Sequence, residues 1–427
     1  MTRDFLPDAH SRLTARSPSD ERVAQRRPGG QAPSGWLALL AGPMSFGIAG
    51  PALVLPDAAR DLGLTTAAVT WTVTAYGWAI AVGTPLMAGL QSRRGTRTAL
   101  TTCTTLILLG TILVVTVPLL PMLVAGSALQ GLGAAGLTTI AMSLTTSARA
   151  MGLVTASLAT VGSTAPLAGD LVATLLDWRA TLALPVLSVL AVPAVLSRRP
   201  ETPLRQTRLD LSGAILLTAL VTALVFVPYA WQAAGTVAVA AGVALALWVR
   251  KRPDGFVPAV VLRSPLFPVA AAAAFLLAVA NFGMMYALPP LLTEGAGWTG
   301  AQVGVAITWP LLFGGLASYG LITVSARVPF SVLATLFPTL AVTGVALAGL
   351  VAATALPAGA ASGAAPLALL FAQGLTSIAA ASGQGAFAAR TGAAVPEAAR
   401  PAAMGLFNLA YLLGAAFGPA IATLLVG

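Results

Sequence analysis

The sequence is poor in charge. Only 8% of its 427 residues are Asp, Glu, Lys or Arg, whereas a water-soluble chain carries about 25%. Hydrophobic residues make up 57% of the chain instead. A soluble chain of this length would also divide into two or three domains with polar surfaces. The shortage of charge therefore excludes a soluble globular protein and indicates that most of the surface faces something other than water.

Cysteine and histidine are almost absent. Cys103 and His10 are the only residues of their types, so no disulfide, no zinc site and no Cys–His or Ser–His nucleophile can be assembled. The stretch QGLGAAG (130–136) has the spacing of a dinucleotide-binding loop. That loop needs a strand before it and an acid about 20 residues later, and the sequence provides neither. The sequence therefore predicts a protein that is not an enzyme and that binds no metal and no cofactor.

Long apolar runs are abundant. Each is close to the ~20 residues that a helix needs to cross a ~30 Å hydrocarbon layer. The runs predict an all-α polytopic membrane protein with about 13 spans, in which every span closes its own backbone hydrogen bonds. They lie at about 36–56, 68–90, 98–118, 121–145, 152–174, 180–197, 211–231, 235–250, 267–290, 302–324, 330–352, 365–388 and 403–426.

The charges are placed asymmetrically. The net charge of +10 does not indicate a nucleic-acid partner, because residues 1–35 form a mixed-charge tail that we expect to be disordered. With this tail inside, 15 basic residues fall on the cytoplasmic side of the spans and 2, Arg60 and Arg179, on the outer side. The positive-inside rule therefore predicts a cytoplasmic N-terminus in the cell's inner membrane. An odd span count places the C-terminus outside.

Several stretches carry the resemblance to a known family. In chain order they are WTVTAYGWAIAVGTPLMAGL (71–90), AGLQSRRGTRTAL (88–100), LQGLGAAG (129–136), APLAGD (165–170), LDWRATLALP (176–185), LDLSGAILL (209–217), GAQVGVAITWPLL (300–312) and MGLFNLAYLLGAAFGPAI (404–421). Their order and spacing resemble the major facilitator superfamily, and within it the 14-span drug:proton antiporters. In this resemblance Arg93, Gly95 and Arg97 match the turn between spans two and three.

The resemblance implies a fold and a function. The fold is a major facilitator fold, with a first bundle at 36–197, two linker spans and cytoplasmic loops at 198–265, and a second bundle at 266–427. The resemblance ends before a fourteenth span, so we expect five spans in the second bundle. The implied function is export of a small hydrophobic, drug-like compound in exchange for protons, by rocking about a site near the midplane. A monomer is the expected oligomeric state.

The departures from the family pattern concern proton coupling. Gly47 and Ala52 stand where the first span of the family carries an acid and an asparagine. Ser92 replaces the loop acid, and Ser127 replaces the arginine of the fourth span. Proton antiport therefore does not follow from the resemblance alone. An uncoupled facilitator and a transport-inactive ligand-binding or sensory protein of the same fold remain alternatives.

Asp170 is the proton-coupling candidate. Of the 13 acids, it alone falls inside a predicted span, where it replaces the second glycine of the antiporter motif. An acid at the membrane centre costs about 2.5–3.5 kcal/mol, so it faces water, finds a donor or takes a proton. Pro166 lies one turn before it and weakens the helix there. The neutral and charged forms of Asp170 are expected to favour different shapes of the protein. The alternative is that Asp170 is hydrated from the outer side and has no role in transport.

Other polar or aromatic residues within spans are candidates for substrate contact, with ordinary helix packing as the alternative for each. They are Tyr76, Trp78, Gln130, Asn281, Tyr286, Trp309, Gln373, Asn408 and Tyr411. Gly131, Gly133 and Gly169 are expected to allow close contact between helices.

Overall fold

The structure is a computed structural model that describes residues 33–145, 148–198, 210–325, 327–354, 364–396 and 399–426. All regular secondary structure within these residues is helical. Residues 1–32, which make up most of the predicted disordered tail, lie outside the described residues.

Thirteen helical segments account for the apolar runs in the described part of the chain. They are α1 (Ser34–Leu53), α2 (Thr66–Gln91), α3 (Arg94–Thr116), α4 (Leu120–Ser143), α5 (Ala148–Leu175), α6 (Trp178–Leu196), α7 (Leu211–Phe226), α8 (Trp231–Lys251), α9 (Leu266–Thr293), α10 (Gly300–Ser325), α11 (Phe330–Thr354), α12 (Ala364–Ala393) and α13 (Arg400–Val426). Twelve of these segments are long and apolar enough to cross a membrane, and α7 is shorter. The prediction of an all-helical membrane protein with about 13 spans is confirmed.

The helix α7 has only 16 residues, which at 1.5 Å per residue extend about 24 Å. It ends where proline interrupts the hydrogen-bond ladder. Pro228 has no N–H to donate to the carbonyl of Leu224, and the N–H of Val227 donates to that carbonyl instead, at 2.9 Å. The predicted span at 211–231 is therefore a shorter helix followed by a turn.

The chain turns between α2 and α3 at Gly95. Its backbone angles are φ 84° and ψ 163°, a conformation that is essentially restricted to glycine. Gly95 thus explains how two spans can follow one another with almost no loop. The side chain of Arg93 lies outside the described residues, and Arg97 is exposed.

The contacts between helices divide them into two bundles, α1–α6 and α9–α13. Within the first bundle, α4 packs closely on α2 and α3 because of its glycines. A Cβ on Gly131 would lie 2.5 Å from the carbonyl oxygen of Tyr76, and one on Gly133 would lie 2.5 Å from that of Cys103. The structure therefore places both predicted packing glycines where no side chain fits.

Two seams join the bundles. One is formed by α5 and α10, and the other by α2 and α13. The antiparallel hairpin of α7 and α8 lies beside the second seam, where α7 contacts both α2 and α13. The indole N–H of Trp78 on α2 donates to the Thr222 hydroxyl on α7 at 2.9 Å, which fixes the hairpin to the first bundle.

The two ends of the molecule differ in charge. The acidic end carries Asp57, Asp61, Asp177 and Glu294, and the basic end carries Arg94, Arg97, Arg390 and Arg400. The positive-inside rule predicts that the basic end faces the cytoplasm.

Candidate functional site

Asp170 is the only acid within the twelve long helices, counted over the described residues. It lies on α5, one turn beyond Pro166 and five residues before the helix ends at Leu175. This position is toward the acidic end and not at the midplane. Its side chain is partly buried, so any role must be consistent with contact to water at that end.

The Asp170 carboxylate faces the second bundle. Its Oδ1 atom lies 3.1 Å from the position that a Cβ on Gly300 would occupy, at the first residue of α10. The described residues offer the carboxylate no hydrogen bond and no ion pair, although the Thr174 hydroxyl donates to the Asp170 backbone carbonyl at 2.9 Å. The side chain therefore lies at the contact between the bundles, where relative motion of the bundles changes its surroundings.

Small residues bring α5 and α10 together along the rest of this seam. A Cβ on Gly304 would lie 3.3 Å from Leu167 and 3.1 Å from Leu53. Further from the acidic end, Gly315 faces Ala159 and Ser163. The helices α5 and α10 run antiparallel along this seam, beginning with Asp170 opposite Gly300. The Asp170 carboxylate is therefore the polar end of a closely packed apolar contact.

Gly169 allows a second close contact of α5, with α1 and α6. A Cβ on it would collide with the backbone carbonyl of Gly50 on α1 and would lie 2.9 Å from the methyl group of Thr181. The Thr181 hydroxyl donates to the Gly169 carbonyl at 2.7 Å. The backbone that carries Asp170 is therefore held against α1 and α6 while its side chain faces α10.

The cations at the acidic end are paired with other acids. Arg179 donates to Asp61 at 2.9 Å and to Asp177 at 3.2 Å, and the guanidinium lies 4.4 Å above the Trp178 ring. Arg60 pairs with Asp57. Neither arginine binds Asp170, so the charge of Asp170 is not neutralised by a neighbouring cation among the described residues.

Three of the candidate substrate residues bond to backbone or side chains near the seams. The hydroxyl of Tyr76 donates to the Met44 carbonyl at 3.0 Å. Tyr286 on α9 donates to the Ile48 carbonyl on α1, which links the two bundles directly. Trp78 bonds to α7, as described above, so all three side chains are engaged in helix-to-helix contacts.

The amide candidates form separate pairs. Gln130 donates to the Thr111 hydroxyl at 3.0 Å within the first bundle. Gln373 donates to the side-chain oxygen of Asn281 at 3.1 Å within the second bundle, and both are buried. The structure thus brings Gln373 and Asn281 together and leaves Gln130 apart from them.

The last three candidates differ in exposure. Tyr411 is buried, with its ring 6.3 Å from that of Phe282, and Asn408 is partly buried. Trp309 is 69% exposed and lies on the outer surface of α10. The narrow gap between α2, α7 and α13, which Leu217 and Leu409 line, is too small for a water molecule. None of the candidate residues lines this gap.

One polar cluster, at the turn between α2 and α3, is not predicted by the sequence. Gln91 donates to Ser143 at 2.7 Å and to Thr96 at 3.3 Å, which closes the turn around Gly95 with neutral groups. By resemblance, the sequence predicts that Arg93 and Arg97 hold this turn. Nothing in the local pattern marks Gln91, because its partner Ser143 lies on α4.

Comparison with known proteins decides the family. The family model described as Major Facilitator Superfamily matches residues 35–317. The chain belongs to the major facilitator superfamily. Membership agrees with the multi-pass helical architecture of the chain.

Relatives and solved structures agree with this membership. This chain is 27% identical over 276 residues to "Multidrug resistance protein Stp" of two Mycobacterium tuberculosis strains. The match covers 60% of this chain and 51% of each relative. The chain thus spans about half the length of the curated relatives it matches. A POT family transporter in complex with 5-aminolevulinic acid has a TM-score of 0.64 and 17% identity, over 92% of this chain and 90% of that one.

A second solved structure, a POT family transporter in complex with a thioalcohol-conjugated peptide, gives a TM-score of 0.63 at 17% identity, with coverage of 92% of this chain and 90% of that one. At this level of identity, both structures show that this chain shares their fold and nothing more specific.

Proposed function

We propose that the protein exports a small hydrophobic compound across the cytoplasmic membrane in exchange for protons, by alternating access. The name of the mycobacterial relatives supports a drug-like substrate, and the apolar composition of the spans supports a mostly hydrophobic binding surface. The chain also resembles the 14-span drug:proton antiporters in the order of its motifs.

The observation that carries the proton step is the position of Asp170. An ionisable group inside a span is costly, and such groups typically mark ion or proton pathways. Asp170 lies on one bundle and faces the other across the α5–α10 seam. When the bundles rock, a group at this position exchanges a protein environment for water, so its charge state and the shape of the protein depend on each other.

The substrate candidates enter the proposal through the same motion. In the described shape Tyr286 bonds across to α1, and Tyr76 is fully buried. We expect the binding surface to become accessible when the basic ends of the bundles separate. Gln130, Asn281, Gln373, Asn408 and Tyr411 then supply the hydrogen-bonding groups of an otherwise apolar site.

The test is transport into inverted membrane vesicles, over a panel of hydrophobic compounds, with and without a pH gradient. We expect gradient-driven accumulation by the wild type and its loss in Asp170→Asn. Asp254→Asn is the matched control, because Asp254 is exposed on the loop after α8. Full coupled activity in Asp170→Asn would refute the coupling role.

Two other outcomes separate the alternative functions. Counterflow without accumulation in the wild type indicates an uncoupled facilitator. Ligand binding with no flux in either assay indicates a sensory or binding protein of the same fold.

A further inference from the structure

The helix α1 changes its geometry twice along its length. Gly42–Ser45 and Gly50–Leu53 are 3₁₀ segments with a proline as the second residue, and Phe46–Ala49 between them is α-helical. Irregular backbone at membrane depth is tolerated where it is buried in protein or lines a cavity. The backbone carbonyls of this part of α1 can therefore be bound by side chains of neighbouring helices.

The carbonyl of Ile48 lies just before the second 3₁₀ segment. In 3₁₀ geometry a carbonyl accepts the N–H three residues further along the chain, and Pro51 at that position has no N–H. The hydroxyl of Tyr286 on α9 donates to this carbonyl. The break in α1 thus provides an acceptor in the first bundle, and the second bundle supplies its donor.

The bond between Tyr286 and Ile48 lies in an apolar region toward the acidic end. Tyr286 is seven residues before the end of α9 at Thr293, which at 1.5 Å per residue is about 10 Å. Tyr286 is only 4% exposed. A hydrogen bond shielded from water is stronger, and a buried group that loses its partner is costly. The buried apolar residues of this cluster come from both bundles, and they include Ala49, Ala52, Met285, Leu311 and Ala422.

Tyr76 makes a similar bond with a different consequence. Its hydroxyl donates to the Met44 carbonyl of α1 at 3.0 Å, and a Cβ on Gly47 would collide with its ring. Tyr76 lies on α2, so this bond stays within the first bundle and does not have to break when the bundles rock. The bond of Tyr286 joins α9 to α1, so it breaks whenever the acidic ends separate.

We infer that the hydrogen bond from Tyr286 to the Ile48 carbonyl is a gate bond that holds the acidic ends of the two bundles together. This inference rests on the proposed alternating access and adds to it a residue that sets how often the acidic end opens. Separation of the ends exposes the apolar cluster and takes the donor away from the carbonyl, and both changes are costly. Tyr286 is thus a positioning residue for the closed state, separate from Asp170 on α5.

The experiment measures how fast a water-soluble maleimide reacts with Ala52→Cys in lipid nanodiscs, without substrate. Ala52 is 5% exposed in the cluster between the bundles, so this thiol reacts while the acidic ends are apart and its rate follows the open fraction. Cys103 is buried between α3 and α4, and the protein without Ala52→Cys measures its background. Size-exclusion chromatography precedes labelling, so that only folded protein is compared.

We expect Tyr286→Phe to raise the labelling rate about five- to thirtyfold, because it leaves the Ile48 carbonyl without its donor in the closed state. Tyr76→Phe is the matched control. It removes a tyrosine hydroxyl from α1 inside the first bundle, and the rate is expected to stay at that of the Ala52→Cys parent. Pro51→Ala supplies an N–H to the Ile48 carbonyl from α1 itself. It is expected to raise the rate alone, and Tyr286→Phe should then add less than it does in the parent.

The gate bond is overturned if Tyr286→Phe reacts at the parent rate, or if Tyr76→Phe raises the rate equally. An undiminished effect of Tyr286→Phe in the Pro51→Ala protein contradicts the part assigned to the break in α1. These outcomes are separate from those of the vesicle assay. Faster labelling of Tyr286→Phe without proton-coupled transport by the wild type supports the gate bond and contradicts the antiport. Coupled transport with unchanged labelling does the reverse.

Discussion

Asp210 offers the sharpest stability prediction, because its carboxylate joins three segments of the chain. It is the N-cap of α7 and accepts the N–H of Gly213 at 3.0 Å. It also accepts the indole N–H of Trp248, near the end of α8, at 2.8 Å, and the N–H of Phe256, on the way to α9, at 2.9 Å. The hairpin is therefore closed at the basic end by one side chain.

The cost of removing this carboxylate can be estimated. An N-cap contributes about 1 kcal/mol, and a hydrogen bond to a charged group contributes about 1.5–3 kcal/mol. Asp210 is only partly buried, so water can replace part of what is lost. We expect Asp210→Ala to lower the free energy of unfolding by about 2–4 kcal/mol. Asp210→Asn keeps a capping oxygen and should lower it by about 1 kcal/mol.

The pH dependence has a definite sign. Burial raises the pKa of Asp210, but the hydrogen bonds from Phe256, Gly213 and Trp248 and the charge of Arg252 outweigh it, so the pKa lies below its ordinary value. The stabilisation is complete above the pKa of the unfolded chain, about 3.9. It is lost as the pH falls through the lower pKa of the folded protein.

The assay is unfolding by SDS in mixed micelles, followed by tryptophan fluorescence, for the wild type and the two variants. The difference between wild type and Asp210→Asn should stay constant from about pH 5 to 8 and shrink below about pH 4. Asp254→Asn should fall within about 0.5 kcal/mol of the wild type. A wild-type stability for Asp210→Ala, or a difference that grows with acid, would show that the carboxylate does not hold the hairpin.

Three further predictions concern the candidate substrate residues. In a double-mutant cycle of Gln373→Leu and Asn281→Leu, SDS unfolding should give a coupling energy of about 0.6–1.7 kcal/mol, because their hydrogen bond joins α12 to α9 inside the second bundle; additive losses would exclude a coupled pair. Trp309→Ala should leave the transport KM within about twofold, because the side chain is 69% exposed on the surface of α10 and surface changes are usually small. Tyr286→Phe should change the transport rate, because it removes the hydrogen bond to α1 that links the bundles. If Trp309→Ala has the larger effect in the same vesicles, the conclusion that Trp309 lies on the outer surface and Tyr286 between the bundles is wrong.

The spans could be predicted from the sequence because each helix in lipid is decided locally. A helix satisfies its own backbone groups, and only length and apolar composition are needed to recognise it. The predicted span at 98–118, for example, corresponds to Arg94–Thr116. The sequence predicts that the seventh span ends at residue 231, whereas α7 ends at Phe226. The prediction is wrong there because the apolar run continues past Pro228 while the helical hydrogen bonds do not.

The partners of the polar groups could not be predicted in the same way. Asp170 was identified as unusual because it is an acid in an apolar run, but its neighbour Gly300 lies 130 residues further along the chain. Asp210 lies in LDLSGAILL (209–217), one of the stretches that carry the resemblance, but its bonds to Trp248 and Phe256 depend on how α7 and α8 return to the basic end.

The sequence by itself determined that this protein lies in a membrane, where its helices are and that a single carboxyl group sits within the long helices that the structure describes. Only the tertiary structure decided which way each side chain faces. Trp309 and Tyr286 look alike in sequence, since both are aromatic residues in apolar helices, yet one is exposed and the other bonds across the bundles. The physical reason is that a helix in lipid is apolar on every face, so hydrophobicity no longer marks the buried side, and contacts between distant helices set it instead.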